Sequence, residues 1–197
     1  MFSPIIIATL GVLAYYFFKP ILKYKLIIYT LVWGIVGVSL LEKALPFLLP
    51  FFKGYVGFSF FYVVMIAGAL PTQWKLTKVL KAIRAPYSVV GFIVLLVHPL
   101  HYAKEVLSQT RAIPYFGVLA FVVMIPLFVT SYMVVRKKMK PKSWKNLQKW
   151  AYLSYAALFV HLIIQASTTQ NRIVAILLAL IYLVLKLTKE IKQSKQA

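Results

Sequence analysis

Three histidines, His98, His101 and His161, are the side chains in this chain best suited to chemistry. Imidazole titrates near neutral pH and is the commonest metal-ligating side chain. Cysteine is absent, which excludes disulfides, thiolate metal sites, iron–sulfur clusters and covalently attached haem. The only acids are Glu42, Glu105 and Glu190, too few for a paired-carboxylate hydrolase of the usual kind. No Gly-x-Gly-x-x-Gly run offers a dinucleotide-binding loop. His98 and His101 are three residues apart, so a helix carrying both would present them on nearly one face.

The elements that carry these histidines are apolar. The chain has 197 residues, 62% hydrophobic and 13% charged, with mean hydropathy +0.84. A water-soluble domain keeps roughly a quarter of its residues charged, so this composition predicts an all-α integral membrane protein. Seven stretches approach the roughly 20 apolar residues that a spanning helix needs: 4–18, 26–41, 55–70, 86–102, 114–135, 147–166 and 173–187. The first is short, but its charges (Lys19, Lys23, Lys25) follow the apolar run and bulky aromatics end it. A signal peptide has the opposite order, so this stretch is expected as a retained first helix.

The net charge of +20 would suggest nucleic acid in a soluble protein. Here it reads as orientation. Lys19 to Lys25, Lys75 to Arg84, Arg136 to Lys149 and Lys186 to Lys195 fall in alternate connections and the tail. The opposite side carries only Lys43, Lys53, Lys104, Arg111 and Arg172. The positive-inside rule then puts the N-terminus outside and the C-terminus inside, with no nucleic-acid partner. The run 136–149 is expected to meet anionic lipid headgroups. The segment 45–52 is too apolar for a solvated loop and too rich in proline for a span, so it should lie over the outer helix ends.

Within this frame His98 and His161 share a depth. Each lies about 20 Å along a helix entering from the cytoplasm, which puts both in the outer half of the bilayer. Two neutral imidazoles facing each other across a bundle suit a six-coordinate b-type haem. His101 falls about one turn further out. The same residues also admit plainer readings: hydrogen-bonded packing groups between helices, or a non-haem metal site of all three histidines. A small permease or scaffold subunit, with the histidines packing or relaying protons, is the alternative function.

Several stretches resemble the ferric reductase-like transmembrane domain family. They are Arg84-Ala85-Pro86 through Phe92, His98 and Tyr102, then Pro114-Tyr115 to Thr130-Ser131, then Trp144-x-x-Leu147, Tyr152-Leu153 and His161. Within that family the similarity is greatest to the haem-binding membrane subunits of periplasmic methionine sulfoxide reductase systems. The resemblance covers residues 24–188 and implies a six-helix haem-binding bundle. Residues 1–23 would then form an additional N-terminal transmembrane helix, and 189–197 a basic cytoplasmic tail.

The resemblance further implies that His98 and His161 are the axial ligands of haem b, with His101 a lesser candidate. The family motif would place another histidine at 148, where this chain has Gln148; amide oxygen ligates iron poorly, so one outer haem is expected. Arg111 and Lys104, nearest in sequence to His98 among the outer cations, are candidates for the haem propionates. Pro99 should free the carbonyl of Leu95 and kink the helix at the site. The electron donor would be a separate quinol or flavin (quinone or FMN). Trp150, Tyr152, Tyr155 and Tyr87 could receive a ring system, although an interfacial aromatic belt explains them equally. The acceptor would be an extracytoplasmic reductase, a flavoprotein or ferric iron, and the location a bacterial inner membrane.

Overall fold

In the computed structural model the described residues are 3–41 and 46–194, and they form helices with no strand among them. Glu42, Lys43, Leu45 and Lys195 lie outside the described residues. The chain divides into two compact units, residues 1–108 with 182–197, and residues 109–181.

The first unit contains α1 (Ser3–Lys23), α2 (Lys25–Leu41), a 3-10 turn (Pro46–Leu48), α3 (Leu49–Phe52), α4 (Tyr55–Ala69), α5 (Lys75–Ala82), α6 (Arg84–Leu95) and α7 (Val97–Leu107). Helix α4 is its centre, packed against α1, α5 and α6. The α4–α6 approach is close because both helices place glycine at the contact. A Cβ on Gly57 would sit 2.8 Å from Leu95 Cβ, and one on Gly91 2.7 Å from Phe60 Cβ. Small residues serve this purpose in apolar surroundings, where backbone approach and van der Waals contact replace the hydrophobic effect as the driving force.

Helix α1 is part of this packing. Leu10 and Ala14 are buried with Val63, Val64, Ala67 and Tyr87, and the Tyr87 hydroxyl donates to the Leu10 carbonyl at 2.9 Å. Its dihedrals leave the helical range at Phe17 (φ −113°, ψ 18°), three residues before Pro20. Proline lacks an N–H and crowds the preceding turn, which accounts for the kink. Helix α5, in a connection expected only as a basic loop, is amphipathic: Thr77, Val79 and Leu80 are buried while Lys75, Lys78 and Lys81 are exposed.

The second unit contains α8 (Tyr115–Val129), α9 (Met133–Arg136), α10 (Pro141–Lys149), α11 (Ala151–Ile164) and the first part of α12 (Thr169–Ser194), within which the unit boundary falls. Helices α8 and α11 pack along their length, and the fully buried Ser154 donates its Oγ–H to the Ala120 carbonyl at 3.1 Å. Most other hydroxyls of the apolar helices bond back within their own helix. Ser39 reaches Ile35, Ser59 reaches Tyr55, and Thr130 reaches Pro126, at 2.7–2.8 Å. In a setting without water, the carbonyl four residues back is the nearest acceptor.

Among the described residues, three helical stretches are long and apolar enough to cross a membrane: Ser3–Lys23, Arg84–Leu107 and Pro141–Ile164. Lys25–Leu40, Tyr55–Ala69 and Tyr115–Val129 are apolar but shorter. The stretch expected as one span over 114–135 divides at Thr130–Tyr132 into α8 and α9. Pro126 lies inside α8, and its carbonyl still accepts from Thr130 N–H at 3.1 Å before the helix ends. Large apolar side chains such as Leu26, Ile27, Leu31 and Val184 are more than half exposed, a surface suited to lipid rather than water.

Candidate functional site

His98 stands just past an interruption in a long helix. Helix α6 ends at Leu95 and α7 begins at Val97, while Leu96 between them keeps helical dihedrals (φ −55°, ψ −31°). Pro99 supplies no N–H to the Leu95 carbonyl, so the hydrogen-bond ladder breaks where the sequence predicts. The helix nonetheless continues through Leu96 without leaving the α region.

The His98 ring is held by the turn joining α3 to α4. Its Nδ1 lies 2.7 Å from the carbonyl oxygen of Phe52. A carbonyl only accepts, so Nδ1 carries a proton and donates it; in the neutral imidazole the lone pair is then on Nε2. Such a bond is the usual means of orienting a metal-ligating histidine. Phe52 is the buried last residue of α3. Gly54 follows in the left-handed region (φ 73°) and comes so close that a Cβ there would be 3.2 Å from His98 Cγ. The turn therefore requires glycine twice over, for its dihedral and for the ring beside it.

His101 belongs to the same cluster in a different role. Its ring stacks on that of Phe52, with centroids 4.5 Å apart and planes 24° apart. Tyr102 meets both imidazoles edge-on, at 5.2 Å from His98 and 4.8 Å from His101. Phe52 thus holds one histidine through its carbonyl and the other through its ring.

His161 lies in the last turn of α11, its carbonyl accepting from Gln165 N–H at 2.9 Å. Its ring rests against the backbone of α8 at Gly117. A Cβ on Gly117 would fall 2.8 Å from both Cε1 and Nδ1 of the imidazole. Each of the two histidines is accordingly met by a glycine of its own unit. Among the described residues, no three His, Asp or Glu side chains form a group able to hold a metal ion.

The other expected residues are spread over both units. Lys104 is exposed on α7, and Arg111 is half-buried in the connection to α8, two residues after Gln109 takes a left-handed φ of 58°. Lys53 stands in the same turn, between Phe52, whose carbonyl meets His98, and Gly54. Gln148 is half-buried and donates from Nε2 to Thr130 Oγ1 at 3.4 Å. Of the aromatic group, Tyr87 bonds α1, Tyr155 is buried, and Trp150 and Tyr152 are more than half exposed. Trp144 stacks on the Arg136 guanidinium at 4.1 Å.

Phe52, Gly54 and Gly117 escaped the reading of the sequence. A backbone carbonyl has no residue-type signature, and a glycine shows its purpose only when its neighbour in space is known. No family model matches the chain, and no curated protein or solved structure is similar to it.

Proposed function

We propose that this chain is a b-type haem electron-transfer subunit of a membrane oxidoreductase system. In this reading it crosses a bacterial inner membrane seven times, N-terminus outside, as a six-helix ferric reductase-like bundle with one additional N-terminal helix. His98 and His161 would hold a single haem b. The observation that carries the reading is the Phe52 carbonyl at His98 Nδ1, which accepts the Nδ1 hydrogen bond and leaves Nε2 as the nitrogen through which the neutral ring would ligate. The close seating of His161 on Gly117 supports it, because an axial ligand needs a fixed ring.

Bound haem would supply a one-electron carrier in a low-dielectric setting. The chain's own residues bind and orient. Phe52 and Gly54 hold the His98 ring, Gly117 seats that of His161, and Lys104 and Arg111 serve the propionates. Gln148, engaged with Thr130, stands where an inner ligand would be needed, which favours one haem over two. Electrons come from a separate quinol or flavin donor and leave to an extracytoplasmic acceptor. That acceptor is a methionine sulfoxide reductase-like enzyme, a flavoprotein or ferric iron.

The test is spectroscopic. The purified chain, produced with haem available, should be red, with a Soret band that shifts on dithionite reduction and a haem-to-protein ratio near one. His98→Ala and His161→Ala should each abolish or severely weaken binding, and His101→Ala should retain most of it. A preparation that stays colourless through haem titration refutes the proposal. A ratio near two refutes the role given to Gln148.

A further inference from the structure

The first unit carries an apolar groove that the haem reading does not use. It has a volume of about 430 Å³ and runs between α1, α4 and α5, bordered by Ile7, Gly11, Tyr15, Val63, Leu76 and Leu80. That volume is in the range of small-molecule sites, roughly 300–1,000 Å³. Gly11 is open on this side: a Cβ built there meets no atom within 4 Å, so no packing contact explains the glycine.

Its rim is charged at one end. The Lys75 ammonium sits 5.4 Å over the ring of Tyr15, a groove residue, and Lys78 and Lys81 follow on the same amphipathic helix. No carboxylate is paired with Lys75 among the described residues; the ion pair described in this unit is Lys186 with Glu190. Trp74, half exposed, precedes the helix, as aromatics do at a membrane–water boundary. An apolar trough that ends under an ammonium matches an amphiphile with an anionic head and a hydrocarbon tail.

We infer that this groove is a binding site for one anionic phospholipid of the cytoplasmic leaflet. The acyl chain lies along Gly11 between α1 and α5, and the phosphodiester meets Lys75. Phosphate binds a lysine as a point charge without needing a bidentate partner. A second apolar helix would fill the trough but leave the lysine unmatched, so the charge selects the lipid. The inference rests on the chain lying in a membrane with Lys75 on the cytoplasmic side, and is independent of haem.

The full chain, reconstituted with defined mixtures of phosphatidylglycerol and phosphatidylcholine and then delipidated, is analysed by native mass spectrometry. The wild type should retain one phosphatidylglycerol in preference to phosphatidylcholine. Lys75→Gln should lower that preference roughly fivefold, the equivalent of about 1 kcal/mol per lysine at an anionic surface. Gly11→Leu, whose Cβ meets no atom within 4 Å and whose side chain would occupy the trough, should lose the retained lipid. Gly34→Leu, on α2 with equally open space and outside the groove, should behave as wild type. Equal retention of both lipids by the wild type overturns the site, as does an unchanged preference in folded Lys75→Gln. Should Gly11→Leu not fold, the Lys75→Gln result alone decides.

Discussion

Replacing Gly117 by alanine places a methyl group 2.8 Å from Cε1 and Nδ1 of His161 and 3.3 Å from its Cγ. Non-bonded carbons settle at about 3.5–4.0 Å, so the ring or the helix must retreat by roughly 0.7 Å. Overpacking of this kind costs about 1–3 kcal/mol. The exchange also relieves the helix-propensity penalty of glycine, worth about 0.8–1.0 kcal/mol. The second term offsets part of the first, leaving a destabilisation of about 0–2 kcal/mol. The effect on a ligand is different in kind. Metal–ligand distances tolerate about 0.2 Å, so the same retreat should weaken haem binding at least tenfold, or about 1.4 kcal/mol.

Haem titration followed at the Soret band and thermal unfolding in detergent give the two readouts, with Gly11→Ala as the control. A methyl at Gly11 meets nothing within 4 Å, so that variant should gain about 0.5–1 kcal/mol from helix propensity. The reasoning is refuted if Gly117→Ala gains as much stability as Gly11→Ala and binds haem like the wild type. If no variant binds haem, the difference in stability still tests the seating of His161.

Gly54→Ala must adopt φ near 73° with its Cβ 3.2 Å from His98 Cγ; it should lose about 1–2 kcal/mol from the dihedral alone, while Gly54→Asn loses less, as unfolding midpoints will show. Tyr87→Phe keeps the packed ring and removes the bond to Leu10, so it should cost about 0.5–1.5 kcal/mol and loosen α1, read as faster amide exchange there. Ser154→Leu forces a larger side chain into a position with 0% exposure and should destabilise more than Ser154→Ala, which loses only the bond to Ala120. Lys189, beyond the last apolar stretch, donates to the Gly68 carbonyl at 2.6 Å near the end of α4. Burial, then Lys81 and Lys186, hold its ammonium below the ordinary 10.5. The unfolded chain therefore binds more protons between the lowered value and 10.5, and stability should rise with pH across that window. Lys189→Met should flatten the rise in a pH series of unfolding midpoints.

Helical class, apolar character and charge asymmetry were all legible in the residues, because each is a property of composition or of short-range period. The interruption at Leu96 was legible too, since Pro99 removes one particular N–H wherever the helix lies. The stretch 45–52 was recognised as neither loop nor span, but its purpose was hidden. It ends in Phe52, whose carbonyl orients His98 and whose ring stacks on His101. The basic connection before Arg84 concealed a short amphipathic helix, because eight residues hold only two turns of pattern.

The sequence by itself determined that the chain is helical and apolar, and that its three histidines are the side chains best suited to chemistry. These follow from side-chain chemistry and local periodicity. Only the tertiary structure decided which tautomer His98 adopts, what His101 leans on, why positions 54 and 117 are glycine, and that α1 is packed into a bundle. Each of these depends on a backbone atom or an empty volume brought close by distant segments. Backbone carbonyls and missing side chains look alike at every position until the fold supplies their neighbours.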